Sequence, residues 1–528
     1  MKSEWTRREV TGMLSRAVVA APALAWTERF AGAAPLQQSM GTAGASQGPV
    51  YVVLWFDTED YILPASDDAA KRLAEFLTAQ GLRATFKVVG EKARVLEARH
   101  RNDVIAALKK HEIGFHSNYH SRQPTPAEYE SVLDWEQGAE EFDRRERPGF
   151  DAVSRVFDRA PSCYGQPGNS WAPQSFPTLK KWGVPVYLDD GLHVGLDGKP
   201  FWYGGLLNIF NITAGRGLEP NDDWSNLAAA KEDFARLHQQ LGAQPQGGLV
   251  SFMFHPTQFV SQRFWDAVNF SNGANPPRSQ WIEQPQLGTD ASRAAFQYFE
   301  ELIRYIRTLP NVRFITASEA HALYRDKAAA RSFSPAELTE IAGAVSAQVN
   351  FQLRGEYALT ASEVFALLNG VVAQYGKTRT VAPVTLKDTP YGPASTRYGF
   401  EWVEMGETPW SQFAETVRDV EQFVERNRQV PNVVWMGSGA VSPESYLVAL
   451  ASVAQRLLGK QSAPESVKLL PADLTAAQWV AKDSPSIWNW PIFPPGFHAP
   501  HLMELARLQA WTLKPAILHG REPRPTQG

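Results

Sequence analysis

The sequence has little cysteine, no long apolar stretch and no excess of positive charge. Cys163 is the one cysteine in 528 residues, which excludes an intrachain disulfide and a cysteine-rich zinc site. No apolar run reaches the roughly 18 residues of a membrane-spanning helix, so no integral membrane span is expected. The net charge of −4 argues against nucleic acid as a partner, because such a partner requires a strongly positive surface. Hydrophobic residues make up 44%, as in ordinary globular proteins, and the length is enough for several domains.

The N-terminal segment has the features of an export signal. Arg7 and Arg8 are adjacent, a modestly apolar stretch runs from Met13 to Trp26, and small residues follow at 31–33. These features predict a twin-arginine-type signal peptide over 1–33, and therefore a periplasmic or secreted protein. A disordered, slightly amphipathic N-terminus is the competing interpretation. Residues 34–48 are rich in Gly, Ser, Ala and Gln and are predicted to be a linker.

From residue 50 onward, apolar strand patterns alternate with helical ones. Strands are predicted at 50–56, 84–89, 113–115, 185–188, 207–212, 249–254 and 312–315, and helices at 67–80, 94–110, 229–241 and 291–307. Strand–helix–strand alternation implies parallel pairing through right-handed crossovers. The pattern therefore predicts an α/β fold, a barrel or a partly closed relative of one.

A charged, alanine-rich stretch at 325–331 predicts a domain boundary. Beyond it helical patterns dominate, and Ser334, Thr360 and Thr475 are each followed three residues later by Glu or Gln, as in a capping box. The sequence therefore predicts a catalytic domain over 49–328 and a mainly helical accessory domain over 329–528.

Three segments carry residues suited to catalysis. The acidic segment 56–60 ends the first predicted strand, His116 and His120 follow the third, and His255 ends a later apolar strand. Carboxyl ends of parallel strands form the face where such folds place active sites. Histidines four residues apart would share one side of a helical turn, so both rings would reach one metal ion. A solvated acidic turn and structural histidines are the alternatives for each segment taken alone.

Taken together, the three segments provide a complete set of groups for hydrolysis. Two imidazoles and one carboxylate form a ligand set that leaves metal positions open for water and substrate. A second carboxylate would act as the base on that water, and a histidine on the opposite wall would act as the acid. The combination indicates metal-assisted hydrolysis of an amide or an ester.

The sequence around these residues resembles the NodB-type polysaccharide deacetylases, carbohydrate esterase family four. Ala84 to Gly90 reads A-T-F-K-V-V-G and is similar to a strand of that family. His111 to His116 reads H-E-I-G-F-H and resembles the family's approach to its histidine motif, and 312–319 resembles the end of the domain. The likeness covers roughly 49–325. It implies a distorted (β/α) barrel.

The resemblance also implies a role for each matching residue. Asp57 matches the general base, Asp60 the metal carboxylate, and His116 and His120 the metal imidazoles. His255 matches the general acid. Members of the family bind zinc or a similar divalent ion and remove N-acetyl, sometimes O-acetyl, groups from sugars, which implies a carbohydrate substrate.

The sequence departs from the family pattern in two places. Acidic residues of the first motif are usually adjacent or two apart, so Glu59 is the alternative to Asp60 as metal ligand. The arginine that normally precedes a proline and pairs with the base is replaced by Gln166, before Pro167. Lys87, on the strand next to the first, is the candidate for supplying the missing charge, and an exposed edge lysine is the alternative.

Other polar and aromatic residues are candidates for lining the site. Asp189, Asp190 and His193 follow a strand and would orient His255 or line the pocket, although a plain acidic turn is equally consistent with the pattern. The long irregular stretch between His255 and residue 291 contains Phe264, Trp265, Phe270 and Trp281, which suit stacking on sugar rings or simple packing.

The segments 413–425, 428–434 and 441–447 faintly resemble a pseudomurein-binding repeat, which implies binding to a cell-wall glycan. A helical appendage for stability or dimerisation is the competing interpretation.

The function predicted first is that of an exported, metal-dependent deacetylase acting on an N-acetylated glycan. The alternatives are a hydrolase of another C–N bond in a small amide or imide, and a glycan-binding protein without turnover.

Overall fold

The structure is a computed structural model that describes residues 48–210, 224–395 and 406–519. The strands of this part of the chain are β1 (Val50–Thr58), β2 (Thr85–Val88), β3 (Glu112–Phe115), β4 (Cys163–Tyr164), β5 (Val186–Asp189), β6 (Phe201–Tyr203), β7 (Leu206–Phe210), β8 (Gly248–Phe254), β9 (Val312–Ile315), β10 (Ser332–Phe333), β11 (Gln348–Val349), β12 (Gln352–Arg354), β13 (Tyr357–Leu359), β14 (Val384–Thr385), β15 (Glu407–Pro409), β16 (Val434–Met436), β17 (Gly439–Val441), β18 (Ser466–Lys468), β19 (Asp473–Leu474) and β20 (Lys514–Pro515).

The helices of the same part of the chain are α1 (Pro64–Ala79), α2 (Gly90–Ala98), α3 (Asn102–Leu108), α4 (Pro126–Glu130), α5 (Trp135–Phe157), α6 (Ser175–Lys181), α7 (Leu227–Gly242), α8 (Trp265–Asn269), α9 (Thr289–Thr308), α10 (Ala317–Leu323), α11 (Pro335–Gly343), α12 (Ala361–Thr378), α13 (Trp410–Asn427), α14 (Pro443–Leu458) and α15 (Pro500–Leu508). The chain divides into two compact units. Within the described residues, the first comprises 48–113, 224–316 and 485–497, and the second comprises 114–210, 317–395, 406–484 and 498–519.

The first unit is built on a parallel sheet with β1 at its centre. Strand β1 pairs in parallel with β2, β8 and β9, and every residue of β1 is buried. A strand covered on both faces must be apolar along its whole length, which explains why the run from Val50 to Phe56 could be recognised in the sequence. The predicted α/β class is confirmed.

The second unit contains a sheet in the order β20-β6-β7-β5-β4-β3, in which β5 pairs in parallel with both β4 and β7. Strands β6 and β20 run antiparallel at its far edge. Strand β3 crosses the boundary between the units in sequence. The Glu112 N–H donates to the Ala84 carbonyl at 3.0 Å in the first unit. Phe115 pairs with Tyr164 in the second unit.

The second unit also contains a helical part with its own apolar core. Helices α11 to α14 contribute buried side chains to this core, among them Leu338, Leu368, Phe413 and Leu450. The capping boxes predicted at Ser334 and Thr360 are confirmed. The one predicted at Thr475 is wrong, because that residue begins a short 3-10 helix, Thr475–Trp479, and its hydroxyl donates to the Val349 carbonyl at 3.0 Å. The predicted domain boundary near 328 stays a prediction.

One predicted element is divided in the structure. The helix expected over 94–110 forms as α2 and α3, because His100 adopts a left-handed backbone with φ of 54° and interrupts the helical hydrogen bonds. No helix among the described residues is long and apolar enough to cross a membrane. The predicted signal peptide over 1–33 and nearly all of the predicted linker lie outside the described residues.

Candidate active site

Asp57 lies near the carboxyl end of β1 and is paired across the sheet with Lys87 on β2. Lys87 Nζ is 3.0 Å from Asp57 Oδ1, and the lysine side chain is fully buried. The same ammonium lies 4.1 Å from the centroid of the Trp55 ring, whose indole N–H donates to Ser251 Oγ at 2.9 Å. A buried ammonium remains charged when a carboxylate and an aromatic face replace its water shell. Lys87 is therefore an internal counter-ion of Asp57 and not an exposed edge lysine.

His255 follows β8, the other neighbour of β1, and faces the same carboxylate. Phe56 is paired with Phe254. Asp57 and His255, the residues that follow this pair, therefore lie side by side. His255 Nε2 is 3.6 Å from Asp57 Oδ2, and Nδ1 is 3.3 Å from Gln258 Oε1. The imidazole is therefore held between the Asp57 carboxylate and the Gln258 side chain, with Nε2 on the Asp57 side.

The two other acidic residues of the segment have different surroundings. Asp60 Oδ1 accepts the backbone N–H groups of Ile62 and Leu63, at 2.9 and 3.1 Å. Asp60 Oδ2 accepts the hydroxyl of Thr257 at 2.9 Å and the amide of Gln284. Burial raises the pKa of Asp60, while nearby Lys92 and these hydrogen bonds oppose the rise. Four donors use the four acceptor positions of a carboxylate, so the contacts of Asp60 are those of a structural anchor.

Glu59 contacts a residue that is far away in the sequence. Its Oε1 accepts the indole N–H of Trp265 at 2.7 Å, and the side chain is buried. The indole packs edge-on against Tyr61 at 4.8 Å and has no exposed surface. The idea that Trp265 stacks on sugar is therefore wrong, because the ring is enclosed, and its contact with Glu59 makes it a supporting residue.

The turn after β1 is fixed by a buried ion pair. The Lys92 ammonium donates to the Asp60 carbonyl, to Ser66 Oγ at 3.0 Å and to the Asp67 carboxylate. Arg99 and Arg101 also reach Asp67, at 2.9 and 3.8 Å, so three cations share one carboxylate. The acidic segment is consequently a rigid, internally bonded structure and not a solvated turn.

The two histidines of the second unit are brought together by an irregular loop. Their ring centroids are 4.9 Å apart, and one nitrogen of each lies within 4.8 Å of the other. The expected helical turn is wrong, because residues 116–120 have no helical assignment and both Ser117 and His120 have positive φ, 65° and 59°. The irregular loop nevertheless brings the two imidazole rings close together, as a helical turn would have done.

Contacts of the histidines orient their rings. His116 Nδ1 is 3.0 Å from the Gly165 carbonyl, and His120 Nδ1 is 2.6 Å from Ser121 Oγ. Partners at Nδ1 fix the ring so that Nε2 is the atom presented to a metal ion, which is the usual arrangement around metal-ligating histidines. The loop backbone is held by Glu146 of α5, whose Oε2 accepts the Asn118 N–H at 2.6 Å. The two imidazoles therefore fit the requirements of a divalent-ion site.

Gln166 forms hydrogen bonds with the turn after β5. The side chain is fully buried, and its amide donates to Asp189 Oδ1 at 3.3 Å and to the Asp190 carbonyl at 3.0 Å. Asp189 Oδ1 also accepts the Asp190 N–H at 2.7 Å. Pro167 is buried and its carbonyl accepts the Ser170 N–H at 2.9 Å. Gln166 thus braces the turn after β5 within the second unit.

His193 is packed in the interior of the second unit. Its ring stacks on Trp171 with centroids 5.1 Å apart and an angle of 11°. Burial lowers the pKa of His193 to about 3. At neutral pH the ring is therefore uncharged, which suits a packing residue better than a proton donor.

The lowered pKa of His193 predicts a stability effect at mildly acidic pH. An unfolded histidine titrates near pH 6.5, so the stabilisation is complete above that pH. Below it the unfolded chain binds a proton that the folded chain excludes down to about pH 3, and the stabilisation is lost as pH falls. The free energy of unfolding is measured with urea from pH 7 to pH 4. It should fall more steeply with decreasing pH in the wild type than in His193→Gln, by up to about 1.4 kcal/mol per pH unit. His498→Gln, at a half-exposed site, is the control, and equal slopes in all three proteins would refute the prediction.

Comparison with known proteins gives structural matches only. No family model matches the sequence, and no curated protein matches it. A protein described as a polysaccharide deacetylase, from Mycobacterium smegmatis, is 16% identical with a TM-score of 0.34, over 55% of this chain and 92% of that one. A 4-alpha-glucanotransferase from Thermococcus litoralis is 12% identical with a TM-score of 0.37, over 52% and 40%. The PuuE allantoinase is 13% identical with a TM-score of 0.35, over 53% and 92%. These matches state what the chain is similar to and assign it no activity, and the likeness to pseudomurein-binding repeats stays a prediction.

Proposed function

We propose that this chain is a metal-dependent hydrolase that removes N-acetyl groups from a glycan. The observation that carries the proposal is the buried Asp57 carboxylate, with the Lys87 ammonium at 3.0 Å and His255 Nε2 at 3.6 Å. A carboxylate with an ammonium on one side and an imidazole on the other provides the two groups that amide hydrolysis needs, one to take a proton and one to give it. A protein that only binds glycans has no need of such a pair.

In this proposal His116, His120 and Glu59 would hold the divalent ion, and zinc is the expected metal. The two histidines present Nε2, and Glu59 is preferred to Asp60 because the Asp60 oxygens are already used by four donors. When bound, the ion supplies Lewis acidity that makes a water molecule more acidic and polarises the acetamide carbonyl. Trp265 positions Glu59 through its indole N–H.

The proton transfers are assigned to residues of the first unit. Asp57 accepts a proton from the attacking water, and Lys87 stabilises the carboxylate before that step. The oxygen of that water bonds to the acetyl carbonyl carbon, and the C–N bond then breaks as His255 Nε2 gives its proton to the departing amine. Gln258 holds the other ring nitrogen of His255 and so fixes which nitrogen faces the reaction. The products are acetate and a free amino sugar.

Two further expectations belong to the same proposal. The twin-arginine-type segment would deliver the protein to the periplasm or outside the cell. The helical part of the second unit would bind glycan. Its helix α13 is followed by Arg428, which has φ of 54° and takes the left-handed position that glycine usually occupies there. It is followed by a β16–β17 hairpin and helix α14.

A substrate panel tests the proposed function. Purified protein loaded with one equivalent of zinc is incubated with chitotetraose, peptidoglycan fragments, acetylated xylan and a set of small cyclic imides and ureides. Acetate and free amine released in equal amounts from the N-acetylated glycans would support the proposal. Turnover of the imides alone would instead assign a small-amide hydrolase. Binding of glycans without any product would contradict hydrolysis altogether.

A further inference from the structure

The second unit contains a polar cleft of about 380 Å³ that begins at the histidine loop. Its lining includes His120, its neighbour Tyr119 and Arg122, two residues further on. Helix α5 contributes Arg144 and Arg145 to the same cleft. A cleft that starts at a proposed metal ligand is a suitable place for the sugar units beside the reacting acetamide group.

Positive charge predominates on the walls of this cleft. Arg144 and Arg145 share a single carboxylate, that of Glu141, with nitrogen–oxygen distances of 2.5 and 2.6 Å. The acid that lines the cleft, Glu146, is buried and bonded to the Asn118 N–H and the Tyr129 hydroxyl. The region of the cleft thus contains three guanidinium groups and two carboxylates. Both carboxylates already accept hydrogen bonds from the protein, so they are less available to a ligand than the guanidinium groups.

Arg122 is the guanidinium best placed to meet a ligand. It is exposed, and its Cζ lies 4.5 Å from the centroid of the Tyr119 ring, which is itself 37% exposed. Stacking on an aromatic face restrains a long side chain while its N–H groups stay available at the edge. A planar guanidinium restrained in this way is prepared for a two-point contact with a carboxylate.

We infer that the Arg122–Tyr119 pair is a subsite for a carboxylate-bearing sugar next to the N-acetylated one, so that the preferred substrate is an acidic glycan. This inference rests on the proposed function, because it treats the histidine loop as the reaction centre. Arg122 would act in recognition and take no part in the chemistry.

Equilibrium binding tests the inference independently of turnover. The full chain is titrated at low ionic strength with a hyaluronan tetrasaccharide, with its methyl ester, and with chitotetraose. The acid should bind at least about tenfold more tightly than its neutral ester, and 0.5 M salt should remove most of the difference because the contact is exposed to solvent. Arg122→Gln should bring the two dissociation constants to within about twofold, and Arg122→Lys should keep part of the preference because it keeps the charge.

Arg147→Gln is the matched control, since Arg147 is also an exposed arginine near an aromatic ring of α5 but does not line the cleft. It should leave the ratio unchanged. Equal binding of acid and ester by the wild type, or a preference that survives in Arg122→Gln, would overturn the inference. Acetate release from chitotetraose without any charge preference would refute the subsite alone, whereas a charge preference without acetate release from any glycan would refute the proposed function alone.

Discussion

Replacing Lys87 with methionine should lower kcat for acetate release by about 100-fold or more, within the range attributed to general acid–base catalysis. The reason is the buried ion pair. Without the ammonium, Asp57 has lost the cation that stabilises its charged form, and the water-excluded site offers no replacement. KM should change far less than kcat, since the Lys87 side chain is fully buried and offers no surface for a substrate to contact.

The control variants for Lys87 separate the loss of charge from the loss of fold. Lys71→Met alters a lysine on the exposed side of α1 and should leave kcat unchanged. Lys87→Met should also lower the free energy of unfolding by about 3–5 kcal/mol, as when one partner of a buried pair is removed. The double variant Lys87→Met/Asp57→Asn should be more stable than Lys87→Met alone, because neither charge is then left unpaired. A Lys87→Met protein with normal kcat, or a double variant whose stability loss is the sum of the single ones, would contradict the pairing.

Glu59→Gln should weaken zinc binding by about 100-fold or more, whereas Asp60→Asn should leave the affinity within about threefold, since only the first removes a metal ligand. In Asp60→Asn one oxygen can still accept the Ile62 and Leu63 N–H groups, and the new amide faces Thr257 and Gln284. Its cost should therefore appear in stability, at about 1–3 kcal/mol.

Competition with a zinc chelator measures both affinities, and unfolding by urea of the metal-free proteins measures both stabilities. Trp265→Phe is the informative third variant. It keeps an aromatic ring but removes the N–H that holds Glu59, and it should weaken zinc binding by about 10- to 100-fold. Metal loss in Asp60→Asn with retention in Glu59→Gln would reverse the assignment and restore the ligand that the family resemblance implies.

The elements that could be predicted from the sequence are those whose burial leaves a pattern. Strand β1 is covered on both faces, so its apolar run ends visibly at Asp57. The same holds for β8 and His255. Once both strands are placed as parallel neighbours, the proximity of the two side chains follows from register alone. A carboxylate partner for Lys87 could also be predicted, because a lysine in an otherwise apolar strand requires an anion.

The features that could not be predicted depend on contacts between distant parts of the chain or on local backbone conformation. Trp265 is 206 residues from Glu59, and no periodicity indicates that its indole would turn inward. The path of the histidine loop depends on positive φ at Ser117 and His120, which non-glycine residues adopt only where surrounding contacts require it. The two oxygens of Asp60 are likewise used by donors from three separate segments, so its anchoring role is invisible in the sequence.

The most direct test of the central claim is a zinc titration of acetate release. The protein is freed of metal by a chelator and dialysed, and zinc is then added in steps while release from chitotetraose is followed at saturating substrate. Activity should be absent at first and rise linearly to a plateau at one ion per chain, and Asp57→Asn should bind the same ion without activity. Full activity in the metal-free protein, or a wild type that binds one zinc ion and releases acetate from no N-acetylated glycan, would contradict the account.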